Sequence, residues 1–157
     1  MPLHPRHGAL RVRAAVALLF VVALIAGCEV FPGVTPTGPL VTIESRGGQC
    51  VDSPCDRTVA IERDGRVHEI APQPGDMRRL PDAIRLGLEQ AIQAADFNRL
   101  RSRRFTGECP ADYDGQEWIY TFGTADGPVR LATCEVQIDA SDPLFAALEA
   151  ALSVSRQ

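Results

Sequence analysis

The stretch from Ala14 to Cys28, AAVALLFVVALIAGC, contains no charged side chain and ends in a cysteine. Three arginines (Arg6, Arg11 and Arg13) lie on its N-terminal side. A helix that spans a bilayer needs roughly 20 apolar residues, whereas a shorter apolar core behind a basic flank is typical of an export signal. Because such a signal is removed after export, we expect residues 1–27 to take no part in the fold.

The end of this stretch, Ile25-Ala26-Gly27-Cys28, resembles the lipobox of bacterial lipoproteins, in which an aliphatic residue and two small residues precede a cysteine. The resemblance implies cleavage before Cys28 and attachment of fatty acyl chains, such as palmitate, to that residue. Each methylene that enters a bilayer contributes about 0.8 kcal/mol. We therefore expect a lipid anchor on the extracytoplasmic face of a bacterial cell membrane. The alternatives are an uncleaved signal anchor and a conventional secretory signal that contains a cysteine.

Residues 28–40 hold three prolines and two glycines without an apolar period, which predicts a semi-extended tether. Residues 41–157 then suffice for one domain with its own core. The whole chain carries 16 basic and 20 acidic residues, and without the three signal arginines the exported part carries 13 against 20. This negative balance argues against nucleic acid as a partner and against attraction of the whole domain to anionic lipid.

The cysteines that follow the predicted anchor are even in number, as expected for an exported domain with two disulfides. They are Cys50, Cys55, Cys109 and Cys134. Of the three pairings, we favour Cys50–Cys55, which closes a tight loop, and Cys109–Cys134, which joins two neighbouring segments. The alternative is a four-cysteine zinc site, but the spacing lacks the Cys-x2-Cys knuckles that shape structural zinc sites. We expect no metal at these residues.

Alternating apolar and polar residues predict strands at residues 41–44, 58–62, 67–70, 117–122 and 129–138. Asp64-Gly65 is a strong hairpin turn signal, and residues 124–127 supply a second turn. Residues 71–75 are expected to form a loop. These segments favour an antiparallel sheet of about four to five strands that contains two hairpins.

Two segments have the apolar spacing of helices. From Pro81 to about Leu100 the apolar residues recur three and four positions apart, and proline suits the first turn of a helix. Ser141-Asp142-Pro143 predicts the start of a terminal helix with a leucine-rich stripe. The predicted fold class is therefore α+β, with two helices packed on one face of the sheet.

Few residues are candidates for catalysis. His68 is the one histidine after the signal, and no G-x-S-x-G or H-E-x-x-H motif accompanies it, so we interpret it as a strand-surface residue. Asp112, Asp114 and Glu117 lie close together in sequence, which favours a polar turn, with a calcium site or a glycosidase pair as alternatives. We predict a non-enzymatic protein with no catalytic residue, metal or cofactor.

Four arginines form a basic cluster at the C-terminal end of the first predicted helix. They are Arg99, Arg101, Arg103 and Arg104. Cations at this end complement the helix dipole, and contact with anionic headgroups or an acidic partner is the alternative. Near them in sequence, the strand face of Trp118, Tyr120 and Phe122 is predicted to lie in the core rather than to form a ligand platform.

The segments Val41-Thr42-Ile43-Glu44-Ser45-Arg46-Gly47-Gly48 and Ala94-Ala95-Asp96-Phe97, with the hairpin from Asp114 to Ile138, resemble the emfourin-type inhibitors of thermolysin-like metalloproteases. The resemblance spans residues 41–152 and implies that family's order of strand, hairpin, helix, hairpin and helix. It implies a binding domain whose partner is an extracytoplasmic metalloprotease. The alternatives are a structural or accessory lipoprotein of the cell envelope and a hydrolase with an unrecognised site.

Overall fold

Six strands form one antiparallel sheet in a computed structural model, which describes residues 37–49 and 55–155. The strands are β1 Val41–Arg46, β2 Arg57–Ile61, β3 Arg66–Ala71, β4 Gly75–Arg79, β5 Glu117–Thr124 and β6 Gly127–Ala132. Their spatial order is β4-β3-β2-β1-β5-β6. The described residues also form α1 Asp82–Ala94, α2 Phe97–Ser102, a 3-10 turn at Pro110–Tyr113 and α3 Pro143–Ser155.

The predicted α+β class is confirmed, with one strand more than the sequence suggested. The additional strand, β4, begins at Gly75, the last residue of the segment 71–75 that was expected to be a loop, and all five of its residues are exposed. Edge strands commonly carry charged side chains, and no residue of this strand is buried in the core. The alternation that marks half-buried strands is therefore missing from its sequence, GDMRR.

The central strand β1 determines which sheet face is buried. Val41 lies opposite Ile61 on β2 and Phe122 on β5, while Ile43 lies opposite Val59 and Tyr120. Because side chains alternate across a strand, these residues share one face. The helices pack on it and complete a single core cluster.

The predicted helix from Pro81 to Leu100 is wrong as one continuous element. Helix α1 ends at Ala94, and Ala95 takes an extended conformation (φ −69°, ψ 130°). The Asp96 carboxylate then accepts a hydrogen bond from the backbone N–H of Arg99 at 2.9 Å and caps the separate helix α2. Since aspartate competes for backbone donors, it ends one helix and begins the next without interrupting the apolar period.

The last predicted strand is also shorter than expected. It was predicted for residues 129–138, but β6 ends at Ala132 and the chain turns at the next residues. Val136 then forms an isolated antiparallel bridge with Arg104. Val136 and Ile138 contact the core from this irregular segment, so their apolar character reflects burial rather than a continuous strand.

Helix α3 closes the core through aromatic packing. The ring of Phe145 lies edge-on to Tyr120, with centroids 5.4 Å apart, and edge-on to Phe122 at 6.1 Å. Burying a phenylalanine side chain contributes about 1.5–3 kcal/mol. Asp142, itself buried, accepts a hydrogen bond from the backbone N–H of Leu144 at 3.2 Å and caps the helix.

We call the end of the sheet where the chain enters β1 the entry end, and the opposite end, where β1 finishes, the far end. At the entry end, Leu40 and Val41 bring the chain into the sheet beside Ile61 and Phe122. At the far end, β1 ends at Arg46, which pairs with Glu117 on β5.

The predicted disulfide Cys109–Cys134 is confirmed, with Cα atoms 5.0 Å apart, and it fastens the segment that contains the 3-10 turn to the end of the β5–β6 hairpin. Cys55 is also disulfide-bonded. Its expected partner Cys50 lies outside the described residues, as does the anchor residue Cys28, so that pairing and the lipidation remain predictions.

Candidate functional site

Trp118 is exposed at the far end of the sheet. Its backbone is fixed by Thr133, because its N–H donates to Thr133 Oγ1 at 3.0 Å and its carbonyl accepts from the Thr133 N–H at 2.9 Å. The side chain is nevertheless 41% exposed, while Phe122 on the same strand face is fully buried. The prediction that this aromatic face lies in the core therefore holds for Phe122 and is wrong for Trp118.

An apolar groove lies beside Trp118, between the sheet and the C-terminal half of α3. Its volume is about 340 Å³, which is within the size range of roughly 300–1,000 Å³ usual for ligand pockets. Met77 on β4, itself 37% exposed, also lines it. We call this feature the Trp118 groove. Its remaining lining residues are Ile43, Ser45, Arg57, Val59, Tyr120, Glu149, Leu152 and Ser155.

The cation in the groove is already paired with an acid. Arg57 donates from Nε and Nη2 to Glu69 Oε2, at 3.0 and 2.8 Å. The same Nη2 lies 3.8 Å from Met77 Sδ, so the arginine also positions one wall of the groove. This pairing leaves the groove without a strong attraction for a free anion.

Tyr120 gives the groove a partly buried phenol. Burial raises the pKa of Tyr120, and the negative charge of Glu149 raises that pKa further. The hydroxyl therefore stays protonated at neutral pH and acts as a neutral hydrogen-bonding group. Ser45 donates its own hydroxyl to the Cys55 carbonyl at 3.1 Å, which ties β1 to the segment before β2.

Acidic side chains gather around the far end. Arg46 Nε donates to Glu44 Oε1 at 2.7 Å. The pKa of Arg46 is raised first by this hydrogen bond and by the charge of Glu44, and then by Glu117 and Asp56. Because side chains alternate along a strand, Glu44, Arg46 and Glu117 lie on the sheet face opposite to the one that carries Ser45 and Trp118.

Two further carboxylates lie on the segment around the 3-10 turn, which packs against the end of β1. Gly47 has φ +75°, and a side chain there would meet the Gly115 carbonyl at 3.0 Å and Ala111 Cβ at 3.1 Å. Asp112 and Asp114 are therefore held beside this end of the sheet, and both are exposed.

The structure divides the predicted arginine cluster. Arg99 Nη2 donates to the buried Asp142 at 2.8 Å, and Arg103 lies 3.8 Å from Asp139. Hydrogen bonds from Ser141, with the nearby arginines, lower the pKa of Asp139. Arg101 instead lines a separate polar cleft beside the β5–β6 turn, and Arg104 lies exposed at the bridge to Val136.

His68 is not part of the groove. It lies on β3 opposite Ala60, on the other sheet face, with Nε2 3.7 Å from Glu62 Oε1. Its Nδ1 is buried without a hydrogen-bond partner among the described residues. No set of three or more His, Cys, Asp or Glu side chains within residues 37–49 and 55–155 is placed to hold a metal ion.

Comparison with models of known protein families finds no match to this chain, and comparisons with curated proteins and with solved structures find none either. Among the described residues, no helix has both the length and the apolar character needed to cross a membrane.

The sequence did not predict that Met77 and Trp118 line the same groove. They are 41 positions apart in number, and their proximity depends on β4, which carries no periodic signal. A methionine between charged residues in Asp76-Met77-Arg78 is the one local indication that an apolar side chain is placed at an exposed strand.

Proposed function

We propose that this chain is a lipid-anchored bacterial protein whose exported domain binds another protein without catalysing a reaction. The observation that carries the proposal is the Trp118 groove. Tryptophan and methionine are enriched in the buried centres of protein interfaces, and tryptophan is prominent among the residues whose truncation costs most. Here both are exposed beside an apolar groove.

The groove also has the rigidity that an efficient binding surface needs. The backbone of Trp118 is fixed by its two hydrogen bonds to Thr133, and the side chain of Arg57 is held by two bonds to Glu69. A side chain that is ordered before binding, as Arg57 is, loses less conformational freedom when a partner arrives. The chain enters the domain at the other end of the sheet, so an anchor at Cys28 does not need the far end for attachment.

For the partner we propose a thermolysin-like metalloprotease, which the domain inhibits. The support is the emfourin resemblance of residues 41–152 and the agreement of its implied element order with the observed strands and helices. The cysteines and the lipid anchor are additions to that pattern. They suit an inhibitor that works outside the cytoplasm and near the membrane.

The test is a titration of thermolysin with the full oxidised chain, extracted from membranes in mild detergent. We expect the hydrolysis of a short peptide substrate to fall until the two proteins are present in equal amounts. Detergent alone and a reduced, alkylated sample serve as controls. Full protease activity in the presence of a tenfold excess of folded chain would refute the inhibitor proposal.

The anchor is tested separately by Cys28→Ser in the producing bacterium. We expect the variant protein to leave the membrane fraction, because the acylated thiol and the new amino group are lost together. A variant that remains fully membrane-bound would show that the lipoprotein proposal is incorrect.

A further inference from the structure

A polar cleft lies at the entry end of the sheet, and it shares no lining residue with the Trp118 groove. Its walls come from α1, from α2 and from the β5–β6 turn. Its volume is about 750 Å³, which is within the range of roughly 300–1,000 Å³ usual for ligand sites. The lining includes apolar side chains from Ile92, Phe97 and Val129. We call this feature the Arg101 cleft.

Part of the charge in the Arg101 cleft is already used by the fold. Arg63 donates to the carbonyls of Gly38 and Gly123, at 3.1 and 2.9 Å, and lies 3.8 Å from Glu89. The Asp96 carboxylate accepts the capping hydrogen bond of α2. These contacts hold the walls of the cleft in place before any ligand arrives.

Other polar side chains in the lining are unused. Within residues 37–49 and 55–155, four of them make neither a hydrogen bond nor an ion pair: Gln93, Asn98, Arg101 and Asp126. The unused charges are therefore one guanidinium on α2 and one carboxylate on the β5–β6 turn. The two amides each offer a hydrogen-bond donor and an acceptor.

The backbone that carries the two unused charges is fixed. Thr124 Oγ1 donates to the Gly127 carbonyl at 2.6 Å and accepts from the Asp126 N–H at 3.3 Å, which holds the turn. Helix α2 is held through its first residue, because the ring of Phe97 packs against that of Phe122 with centroids 5.7 Å apart. A cleft with fixed walls loses less conformational freedom when it binds a ligand.

The unused groups define the chemistry of a ligand. A carboxylate matches the planar fork of Arg101, and an ammonium group matches the carboxylate of Asp126. The N–H and C=O of a peptide group match the amides of Gln93 and Asn98. An inorganic anion would use the guanidinium alone. A free amino acid carries both charges but has no peptide group.

We infer that the Arg101 cleft binds a short peptide with two free termini. Its carboxylate pairs with Arg101, its ammonium group pairs with Asp126, and an apolar side chain packs against Phe97 and Val129. Peptide-bond hydrolysis is the class of reaction that supplies such a ligand. This site is additional to the protein-binding surface proposed at the Trp118 groove and does not depend on it.

The test follows the amide chemical shifts of the full oxidised, isotope-labelled chain during titration with the tripeptide Ala-Leu-Ala. We expect the backbone amides of Asn98, Arg101 and Asp126 to shift, with a dissociation constant on the order of 1 mM or tighter. The indole N–H of Trp118, the one tryptophan in the chain, lies in the other groove and should not shift. Blocking either terminus, by N-acetylation or as the C-terminal amide, should weaken binding by about two- to fivefold, as expected for one exposed charge pair.

Two variants assign the two termini to their partners. Arg101→Gln should weaken Ala-Leu-Ala by about two- to fivefold and leave binding of its C-terminal amide unchanged, because that form has no carboxylate to lose. Asp126→Asn should weaken Ala-Leu-Ala by a similar factor and leave the N-acetylated form unchanged. Arg104→Gln is the matched control, since Arg104 is exposed and lies outside the cleft. It should bind every form as the unchanged chain does.

The inference is overturned if Ala-Leu-Ala at about 10 mM shifts none of the three amides, or if each variant weakens the free and the blocked forms alike. Glycerophosphoethanolamine carries both charges without a peptide group. Equal binding of that compound would assign the cleft to a lipid headgroup and would also overturn the inference. A chain that binds the tripeptide but leaves thermolysin active would retain this site and lose the inhibitor proposal.

Discussion

Trp118 and Phe122 lie on the same face of the same strand, one at each end of the sheet, and their surroundings differ. Phe122 is fully buried and packs against the rings of Phe97 and Phe145 at 5.7 and 6.1 Å. Trp118 is 41% exposed beside an open groove. The domain therefore uses one of these two aromatic side chains in its core and leaves the other partly exposed.

Polar groups show the same contrast. At the entry end, Arg63 donates to the carbonyls of Gly38 and Gly123, at 3.1 and 2.9 Å, and so joins the incoming chain to the β5 strand. At the far end, Asp112 and Asp114 project from a short turn and make no ion pair with the described residues. The entry end is therefore closed by buried packing and hydrogen bonds, while the far end leaves an aromatic side chain and two carboxylates exposed.

The largest expected effect is a difference in stability between alanine variants of the buried Phe122 and the exposed Trp118. Phe122→Ala should lower the free energy of unfolding by about 3–5 kcal/mol, because it removes a buried ring from a packed core. Trp118→Ala should change it by less than about 1 kcal/mol, because most substitutions of exposed side chains have small effects. Denaturant unfolding of both variants measures the difference. Equal losses would mean that Trp118 belongs to the core.

The disulfide gives the next largest effect. Cys109–Cys134 closes a loop with a sequence separation of 25, and the paired variant Cys109→Ser, Cys134→Ser should lose about 2–4 kcal/mol of stability. Because the bond fastens the segment around the 3-10 turn, amide hydrogen exchange should accelerate at residues 105–116 more than in β2 and β3. Uniform acceleration would show that the disulfide does not act locally.

A smaller loss of stability is expected in the arginine cluster, and it should occur at Arg99 and not at Arg101. Arg99→Gln should cost about 1–2 kcal/mol, since it leaves the buried carboxylate of Asp142 without its charged donor. Arg101→Gln should cost less than about 0.5 kcal/mol, since Arg101 is exposed and makes no ion pair with the described residues. Thermal unfolding of the two variants side by side checks the difference. Identical shifts would mean that the ion pair to Asp142 contributes nothing.

Much of the fold could be predicted because its signals are local. Alternation located β1, β2, β3 and β5, and Asp64-Gly65 located the first hairpin. The even cysteine count predicted two disulfides, and the place of Cys109 and Cys134 on neighbouring segments favoured the pair that is observed. These features depend on neighbours in sequence or on simple counting, so a single sequence contains them.

The rest depended on tertiary context. Asp96 interrupts a helix whose apolar period continues through it, so the period alone could not reveal the break. The groove requires β4 to bring the Met77 side chain to the same cavity that Trp118 lines. The sequence does not distinguish the four arginines from one another. Arg99 nevertheless forms an ion pair with Asp142, which caps α3 and lies more than 40 residues later in the chain.

The central claim is that the domain binds a protein through the Trp118 groove. The most direct measurement is the inhibition constant for thermolysin of three full-length oxidised chains: unchanged, Trp118→Ala and Arg101→Gln. We predict that Trp118→Ala weakens inhibition by about tenfold or more while Arg101→Gln has no effect, since loss of a central interface tryptophan usually costs more than 1 kcal/mol. Equal inhibition by all three chains, or none by any, would contradict the claim.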